Sequence, residues 1–246
     1  MAEGDSWFDY LGRDVLDKLE SDHGYDIESV AGAGHRVEDM AYAGNQLSKF
    51  KKLLEKLLRN SEVPKAILLS GGGNDIAGAG FALLLDHAAS SSPGLNEDIV
   101  RGVLEVRIRN AYVAILQAIT TLCVDTIGKT VPIIVHGYDR PVPDGRGVAG
   151  GAWLLPGPWL RPGFHQKGFL NQKANTAVIG GLIDRFNKMI KDVTGEARFA
   201  HVHYLDLRDT LPTGANYDDW WANELHPTKK GFEAVANKFA AAIAKV

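Results

Sequence analysis

The sequence predicts an α/β fold in which a parallel β-sheet is flanked by helices. Short continuous apolar runs, such as residues 66–69 and 131–135, alternate along the chain with longer segments of helical periodicity. Runs of this kind are typical of strands buried on both faces, and their alternation with helices is typical of parallel sheets. The 246 residues contain no internal repeat and no linker-like stretch, so we expect a single domain spanning residues 1–246.

The first half of the chain begins with a helix predicted over residues 9–22, where apolar residues recur at helical spacing. Residues 25–30 then predict a strand, and residues 36–60 predict a second helix with a leucine-rich stripe. The buried strand at 66–69 leads into the turn at 70–75. Consecutive glycines make this turn more flexible than packing alone requires.

The second half of the chain continues the alternation. The predicted elements are a helix over residues 97–128, a strand over 131–135, a helix over 175–194, a strand over 200–207 and a last helix over 228–244. In open sheets of this kind, ligands bind beyond the carboxyl ends of the strands. Reactive residues in the turns that follow strands or precede helices are therefore expected to meet at one edge of the sheet.

Residues 138–172 interrupt this alternation with many prolines and glycines and no periodic apolar pattern. A long stretch of this type is more typical of a functional lid or wall than of a linker. Its Trp153 and Trp159, together with Tyr138 at its start, either contact the substrate or cover the edge of the sheet. We expect this insert to determine substrate choice, with these aromatic residues binding the substrate.

The composition argues against several classes of function. The net charge of −3 at pH 7 gives no electrostatic basis for binding nucleic acid or an anionic membrane. No transmembrane run is visible, so stable membrane insertion is not expected, and the absence of a signal-peptide pattern favours a cytoplasmic protein. The single cysteine, Cys123, lies in an apolar helical pattern and is expected to be buried.

Two further patterns predict neither a cofactor nor a metal. Residues 32–37 are similar to a dinucleotide-binding loop, but the last position is Val37 instead of glycine or alanine, so no nicotinamide cofactor is expected. His201 and His203 share one face of a predicted strand, but two ligands are fewer than a usual zinc site requires. His136 ends the strand at 131–135 and is expected either to border the ligand site or to be a hydrogen-bonded structural residue.

Four turns carry residues that are suited to acyl transfer, namely Ser6, Gly34, Asn74 and His226. A serine hydroxyl becomes a good nucleophile when a histidine accepts its proton. The negative oxygen formed in acyl transfer needs hydrogen-bond donors, which the N–H groups of Ser6 and Gly34 and the side-chain amide of Asn74 could supply. For Ser6 there is also a simpler alternative, since Ser6 and Asp9 match the Ser-x-x-Asp pattern of a helix cap.

At these positions the chain resembles the SGNH hydrolases, the GDSL-type esterase and lipase family. The matching segments, in the family's order, are Gly4-Asp5-Ser6, the turn that ends at Gly34, Gly72-Gly73-Asn74-Asp75 and His226-Pro227. The resemblance covers nearly the whole chain. It implies Ser6 as nucleophile, His226 as base, an oxyanion hole of Ser6, Gly34 and Asn74, and no cofactor. It also implies a flavodoxin-like three-layer α/β/α sandwich with a five-stranded parallel sheet.

Two features depart from the family pattern. The family usually has aspartate three residues before the histidine, where this chain has Asn223. Asparagine can orient a histidine through its carbonyl oxygen, but it cannot stabilise an imidazolium by charge. Glu224, Asp218, Asp219 or a backbone carbonyl are the alternatives for this role, and sequence position does not decide among them. In addition, only three residues precede the first matching segment, so the first strand is expected to be short or truncated.

These observations predict a serine esterase or acylhydrolase that cleaves a small or carbohydrate-linked ester through an acyl-enzyme on Ser6. The expected partner is therefore a small-molecule ester, with His226 as base and Asn223 as its orienting residue. The alternative, suggested by Asn223 and the short first strand, is a catalytically silent binding protein with the same fold. The two differ in geometry, because an active enzyme must bring Ser6 Oγ within about 2.6–3.2 Å of an imidazole nitrogen.

Overall fold

The structure, a computed structural model, describes residues 1–10, 14–43, 45–148 and 156–246. Its centre is a parallel sheet formed by β1 (Ala2–Glu3), β2 (Ile67–Leu69), β5 (Ile133–His136) and β6 (Val202–Leu205), which lie side by side in that order. A separate antiparallel pair consists of β3 (Leu85–Asp86) and β4 (Gly94–Leu95). The predicted α/β fold, with a parallel sheet flanked by helices, is confirmed.

Within the described residues, this sheet has four strands instead of the five that the family resemblance implies. Residues 25–30, predicted as a strand, form only an isolated parallel bridge between Ser29 and Ala2. Further backbone hydrogen bonds continue along this line, for example from the N–H of Gly32 to the carbonyl of Gly4 at 3.0 Å. The segment thus takes the place of a fifth strand, but β1 has only two residues with which it can pair. The expectation of a short first strand agrees with that length.

The helices form two groups around the sheet. The helices of the described residues are α1 (Val15–His23), α2 (Val37–Tyr42), α3 (Gln46–Arg59), α4 (Gly73–Ile76), α5 (Glu97–Arg101), α6 (Arg109–Ile127), α7 (Arg161–Gln166), α8 (Gln172–Thr194) and α9 (Lys229–Ile243). α1 packs against α9, whereas α2, α3 and α8 pack against α6. The helix predicted over residues 36–60 is divided into α2 and α3, because Ala43 adopts an extended backbone.

Helix α1 begins later than predicted, because its N-cap is Asp14. The Asp14 carboxylate accepts hydrogen bonds from the N–H groups of Leu16 at 2.8 Å and Asp17 at 3.0 Å. The Asp17 carboxylate in turn accepts from the N–H of Asp14, which completes a capping box. This arrangement excludes the alternative role of Ser6 as the cap of this helix.

The helical stretch Glu97–Ile127 is, within the described part of the chain, long and apolar enough to span a membrane by length and composition. A π-helical segment, Gly102–Ile108, joins α5 to α6 within it. Its inner face belongs to the protein core, where Tyr112 and Cys123 are buried and the Tyr112 hydroxyl donates to the carbonyl of Gly71 at 2.6 Å. Packing within the domain therefore accounts for the apolar character of its inner face, while Val106 and Val124 on the same stretch are exposed. The absence of membrane insertion stays a prediction.

Candidate active site

A buried carboxylate holds the turn that follows β1. Asp5 is 1% exposed, and its Oδ1 accepts hydrogen bonds from the N–H of Trp7 at 3.0 Å and the hydroxyl of Ser70 at 2.8 Å. Gly4 passes so close to the end of β2 that an added Cβ would lie 2.6 Å from Ser70 Cβ. Glycine and aspartate at these positions therefore fix the turn that presents Ser6 at the carboxyl edge of the sheet.

Ser6, His226 and Asn223 lie in one hydrogen-bonded row. Ser6 Oγ is 2.7 Å from His226 Nε2, and His226 Nδ1 is 2.9 Å from Asn223 Oδ1. A tight turn brings the histidine and the asparagine together, because the N–H groups of Ala222 and Asn223 both approach the carbonyl of His226, at 2.9 Å and 3.4 Å. All three side chains of the row are buried. The arrangement is that of a nucleophile, a base and its orienting residue.

Backbone donors fix which atom of the Asn223 amide faces the imidazole. Oδ1 accepts hydrogen bonds from the N–H groups of Leu225 at 3.0 Å and His226 at 2.9 Å, which an amide NH₂ group could not do. The same oxygen faces His226 Nδ1, so the proton of the neutral imidazole lies on Nδ1. Nε2 is left with a lone pair toward the Ser6 hydroxyl. The turn thus selects the tautomer that a general base requires, without a carboxylate.

The carboxylates considered as alternatives lie away from the imidazole, whose two nitrogens already have partners. Asp218 and Asp219 are exposed residues of a 3-10 turn. Glu224 is fully buried, but its carboxylate accepts hydrogen bonds from four backbone N–H groups, of residues 145 and 159–161, at 2.6–3.0 Å. Glu224 therefore joins two parts of the insert to the turn that carries the histidine.

Replacement of this carboxylate should destabilise the protein. In Glu224→Gln the side-chain NH₂ group would face N–H donors, so at least one pair of hydrogen bonds is lost and buried donors remain unpaired. We expect the free energy of unfolding to fall by about 2–4 kcal/mol, measured by chemical denaturation. Glu233→Gln, at an exposed position of α9, is the matched control. Equal unfolding free energies for the two variants would contradict this role of Glu224.

Burial lowers the pKa of His226 from 6.5 to about 3. The ring is 5% exposed, and the groups bonded to it, a hydroxyl and an amide, carry no net charge. Desolvation disfavours the charged imidazolium, and no neighbouring carboxylate offsets that cost. The imidazole is therefore neutral, and able to accept a proton, over the whole range around neutral pH.

Two aromatic rings contact the imidazole of His226. Tyr10 stacks on it with ring centroids 4.1 Å apart and 10° between the planes, and its hydroxyl accepts a hydrogen bond from Asn223 Nδ2 at 3.1 Å. Trp159, predicted to bind substrate, meets the imidazole edge-on at 5.4 Å between centroids. Sequence analysis missed Tyr10, because it falls within the helix predicted over residues 9–22. The available signal was its position one turn after Ser6.

Candidate donors for a negative oxygen come from three turns. The N–H groups of Ser6 and Gly34 have no acceptor within the described residues, and Gly34 has a φ of +83°, a region that favours glycine. Asn74 lies in α4 beside Ser6, and its Nδ2 donates to the carbonyl of His35 at 3.0 Å, which leaves its second N–H for a ligand. The Asp75 carboxylate accepts from the first N–H of α2 at 2.8 Å. Both bonds tie the turn of Gly34 to that of Asn74.

A narrow apolar cavity opens next to Ser6. Its volume is about 40 Å³, which makes it a small cavity. Its apolar wall includes Ile76, Leu160, Ile179, Ile183, Trp221 and Leu225. Tyr138, predicted to bind substrate, also lines the cavity and donates its hydroxyl proton to Asp5, while burial raises its pKa and keeps it neutral. Trp153, the third predicted substrate-binding residue, lies outside the described residues.

Two further histidines considered from the sequence, His136 and His201, have hydrogen-bonded positions. His136 is fully buried behind the site, with Nε2 2.8 Å from Ser70 Oγ. His201 Nε2 lies 2.9 Å from Thr120 Oγ1. In the parts of the chain that the structure describes, no group of three or more His, Cys, Asp or Glu side chains could hold a metal ion. The buried position of His136 and its contact with Ser70 favour the structural role that the sequence analysis gave as one alternative.

Comparison with known proteins gives one family and several similar folds. A family model described as GDSL-like Lipase/Acylhydrolase matches residues 3–239. An acylhydrolase candidate from Bacteroides fragilis is similar with a TM-score of 0.54 and 14% identity, covering 99% of this chain and 85% of that one. A family 3 carbohydrate esterase from Talaromyces cellulolyticus has a TM-score of 0.51 and 16% identity, covering 100% of this chain and 98% of its own. A family 3 carbohydrate esterase from Clostridium thermocellum has a TM-score of 0.50 and 15% identity, covering 98% and 92%. No curated protein sequence matches the chain.

Proposed function

Because the chain belongs to the GDSL-like lipase/acylhydrolase family, whose members are ester hydrolases in general terms, we propose that it is a serine esterase that forms an acyl-enzyme on Ser6. The observation that supports this proposal is the row of Ser6, His226 and Asn223, with 2.7 Å between Ser6 Oγ and His226 Nε2. A catalytically silent binding protein, the alternative, has no need of this contact. The separation lies within the hydrogen-bond reach of about 2.6–3.2 Å that an active pair requires.

In the proposed mechanism, His226 Nε2 accepts the Ser6 proton as Ser6 Oγ attacks the ester carbonyl carbon. The negative oxygen of the tetrahedral intermediate accepts hydrogen bonds from the N–H groups of Ser6 and Gly34 and from Asn74 Nδ2. His226 then gives its proton to the leaving alcohol oxygen as the C–O bond breaks, which leaves the acyl group on Ser6. A water molecule, deprotonated by the same nitrogen, attacks the acyl-enzyme, and Ser6 leaves with the returned proton.

We assign the apolar cavity to the acyl group. Ser6 is one of its lining residues, and its small volume of about 40 Å³ suits a short acyl chain of two to about four carbons. Tyr138 and Leu160, which belong to the insert at 138–172, form part of its wall. The predicted role of the insert in substrate choice is therefore retained as part of the proposal. The alcohol part leaves along the side of His226 where Trp159 lies, and an aromatic ring there can pack on a sugar or an alkyl group.

A fluorophosphonate probe tests the proposed nucleophile directly. The probe forms a covalent bond with a serine that is activated by a neighbouring base, so it should label the wild-type protein stoichiometrically at pH 7–8. Peptide mapping by mass spectrometry should place the label on Ser6. Labelling of another serine, or an unlabelled but folded protein that binds esters without cleaving them, would instead favour the silent binding protein.

The acyl-chain preference should follow the size of the cavity. With p-nitrophenyl esters, we expect kcat/KM to be highest for acetate to butyrate and at least about tenfold lower for octanoate, because a longer chain must displace packed side chains. Ile183→Ala removes part of the wall and should raise the octanoate-to-acetate ratio of kcat/KM by about tenfold. Ile99→Ala, at an exposed position of α5, is the control and should leave the ratio unchanged. A wild-type preference for octanoate would contradict the assignment of this cavity.

A further inference from the structure

Asn223 supplies no negative charge to the imidazole, so any electrostatic stabilisation of the imidazolium formed during attack has to come from other groups around the ring. The described groups around the His226 ring are the Ser6 hydroxyl, the Asn223 amide, the face of Tyr10 and the edge of Trp159. Of the two aromatic contacts, only that of Tyr10 presents a ring face, 4.1 Å away and nearly parallel to the imidazole. The face of an aromatic ring carries partial negative charge and attracts a cation.

The same tyrosine also binds the far side of the orienting residue. Asn223 is 2% exposed, and its Nδ2 donates to the Tyr10 hydroxyl at 3.1 Å. A tyrosine hydroxyl can accept from an amide NH₂ group or donate to a carboxylate oxygen. It is thus a partner for asparagine here, and it would remain a partner if aspartate stood at this position. The contact gives the NH₂ group of Asn223 an acceptor inside the protein.

The backbone anchors Tyr10 in this place. Its N–H donates to the carboxylate of Asp14 at 3.0 Å, the residue that also caps α1. Its ring further packs near Phe232 of α9, with centroids 6.0 Å apart. The ring therefore lies between α9 and the imidazole, and the backbone of Tyr10 is anchored at the start of α1, so its stacked position does not depend on a ligand.

We propose that Tyr10 is a positioning residue of the esterase, whose stacked ring and hydroxyl hold His226 and Asn223 and stabilise the imidazolium that forms during attack. This inference rests on the proposed function, because it assigns His226 the role of base. Tyr10 takes over part of the electrostatic role that the family's aspartate has. It is not part of the cavity wall, so it acts on the rate of the chemical step and leaves substrate binding unchanged.

Two substitutions separate the functions of the ring and the hydroxyl. Tyr10→Phe keeps the stacked face and loses the acceptor for Asn223, and we expect kcat to fall about threefold. Tyr10→Leu loses both and should lower kcat about 30-fold, with KM for p-nitrophenyl acetate unchanged within about twofold. Tyr42→Leu, at a residue of α2 that is 62% exposed, is the matched control and should retain wild-type kcat.

A double-mutant cycle with Asn223→Asp distinguishes this role from a merely structural one. The aspartate supplies the charge that the tyrosine face otherwise provides, so Tyr10→Leu should cost less than about fivefold in kcat in the Asn223→Asp background. If Tyr10→Leu is unfolded at the assay temperature, Tyr10→Met takes its place in the same cycle. Equal losses in both backgrounds, or wild-type kcat in Tyr10→Leu, would overturn the proposal. Ser6→Ala is assayed in parallel, and if it retains turnover the proposed esterase mechanism fails independently of Tyr10.

Discussion

Ser6→Ala is expected to lower kcat for p-nitrophenyl acetate by about 10⁴- to 10⁶-fold. The Ser6 hydroxyl oxygen lies 2.7 Å from His226 Nε2, and alanine offers no atom for attack on the ester. Loss of the nucleophile in serine hydrolases costs up to about 10⁶ in kcat, and the residual rate comes from the oxyanion hole and substrate binding. The backbone N–H of residue 6, which alanine keeps, and the donors of Gly34 and Asn74 would supply that residual rate here.

The fold of Ser6→Ala should stay intact. The side-chain contact of Ser6 is with His226, and the N-cap of α1 is Asp14, so no helix loses its cap. A true N-cap serine would cost about 1 kcal/mol when replaced by alanine. The denaturation midpoint of Ser6→Ala should therefore match that of Ser21→Ala, an exposed control on α1. Turnover within tenfold of wild type, in a protein with an unchanged midpoint, would remove Ser6 from the mechanism.

Sequence patterns were sufficient for the fold class and for the placement of Ser6 and His226 at one edge of the sheet. Both residues lie in turns at the ends of elements with strong periodicity, and the carboxyl ends of parallel strands must converge. The predicted fifth strand is the element that the described residues do not form, beyond an isolated bridge. Its residues 25–30 have a strand-like composition, but pairing also depends on the length of the neighbour, and β1 offers only Ala2 and Glu3.

The orienting residue could not be selected from the sequence for a different reason. Asn223 and Glu224 are adjacent, so their distances along the chain from His226 do not discriminate between them. The tight turn, closed by the N–H of Ala222 on the carbonyl of His226 at 2.9 Å, directs the Asn223 side chain toward the imidazole. The side chain of Glu224 consequently points toward the backbone of the insert. The geometry of this one turn therefore determines which of the two side chains faces the imidazole, and the residue types alone do not predict that geometry.

The second large effect is expected at Asn223 itself. Asn223→Ala removes the oxygen that accepts from His226 Nδ1 and from two backbone N–H groups, so the imidazole can rotate and adopt the other tautomer. We expect kcat to fall about 10²- to 10³-fold, which is comparable to the loss of a positioned general base. Wild-type kcat in this variant would show that Asn223 does not orient His226, and a loss in Asp219→Ala at unchanged stability would then identify a different orienting residue.

Asn223→Asp should act in the opposite direction. In serine proteases, the exchange of aspartate for asparagine costs about 10⁴ in kcat because it imposes the wrong tautomer. The backbone N–H groups of Leu225 and His226 already select the correct tautomer in this chain, so aspartate adds charge stabilisation of the imidazolium alone. The gain in kcat should therefore be smaller, about tenfold.

The pH profile provides the sharper test of the Asn223→Asp substitution. The neutral imidazole is the active form, and burial lowers the pKa of His226 to about 3, so the wild-type enzyme should lose kcat/KM only as the pH falls toward that value. A carboxylate at position 223 favours the imidazolium and should raise this pKa by about 1–3 units. The acidic limb of Asn223→Asp is therefore expected at a higher pH than that of the wild type, although its kcat at pH 8 is larger. Identical acidic limbs in the two proteins would mean that residue 223 does not interact with the ionising base.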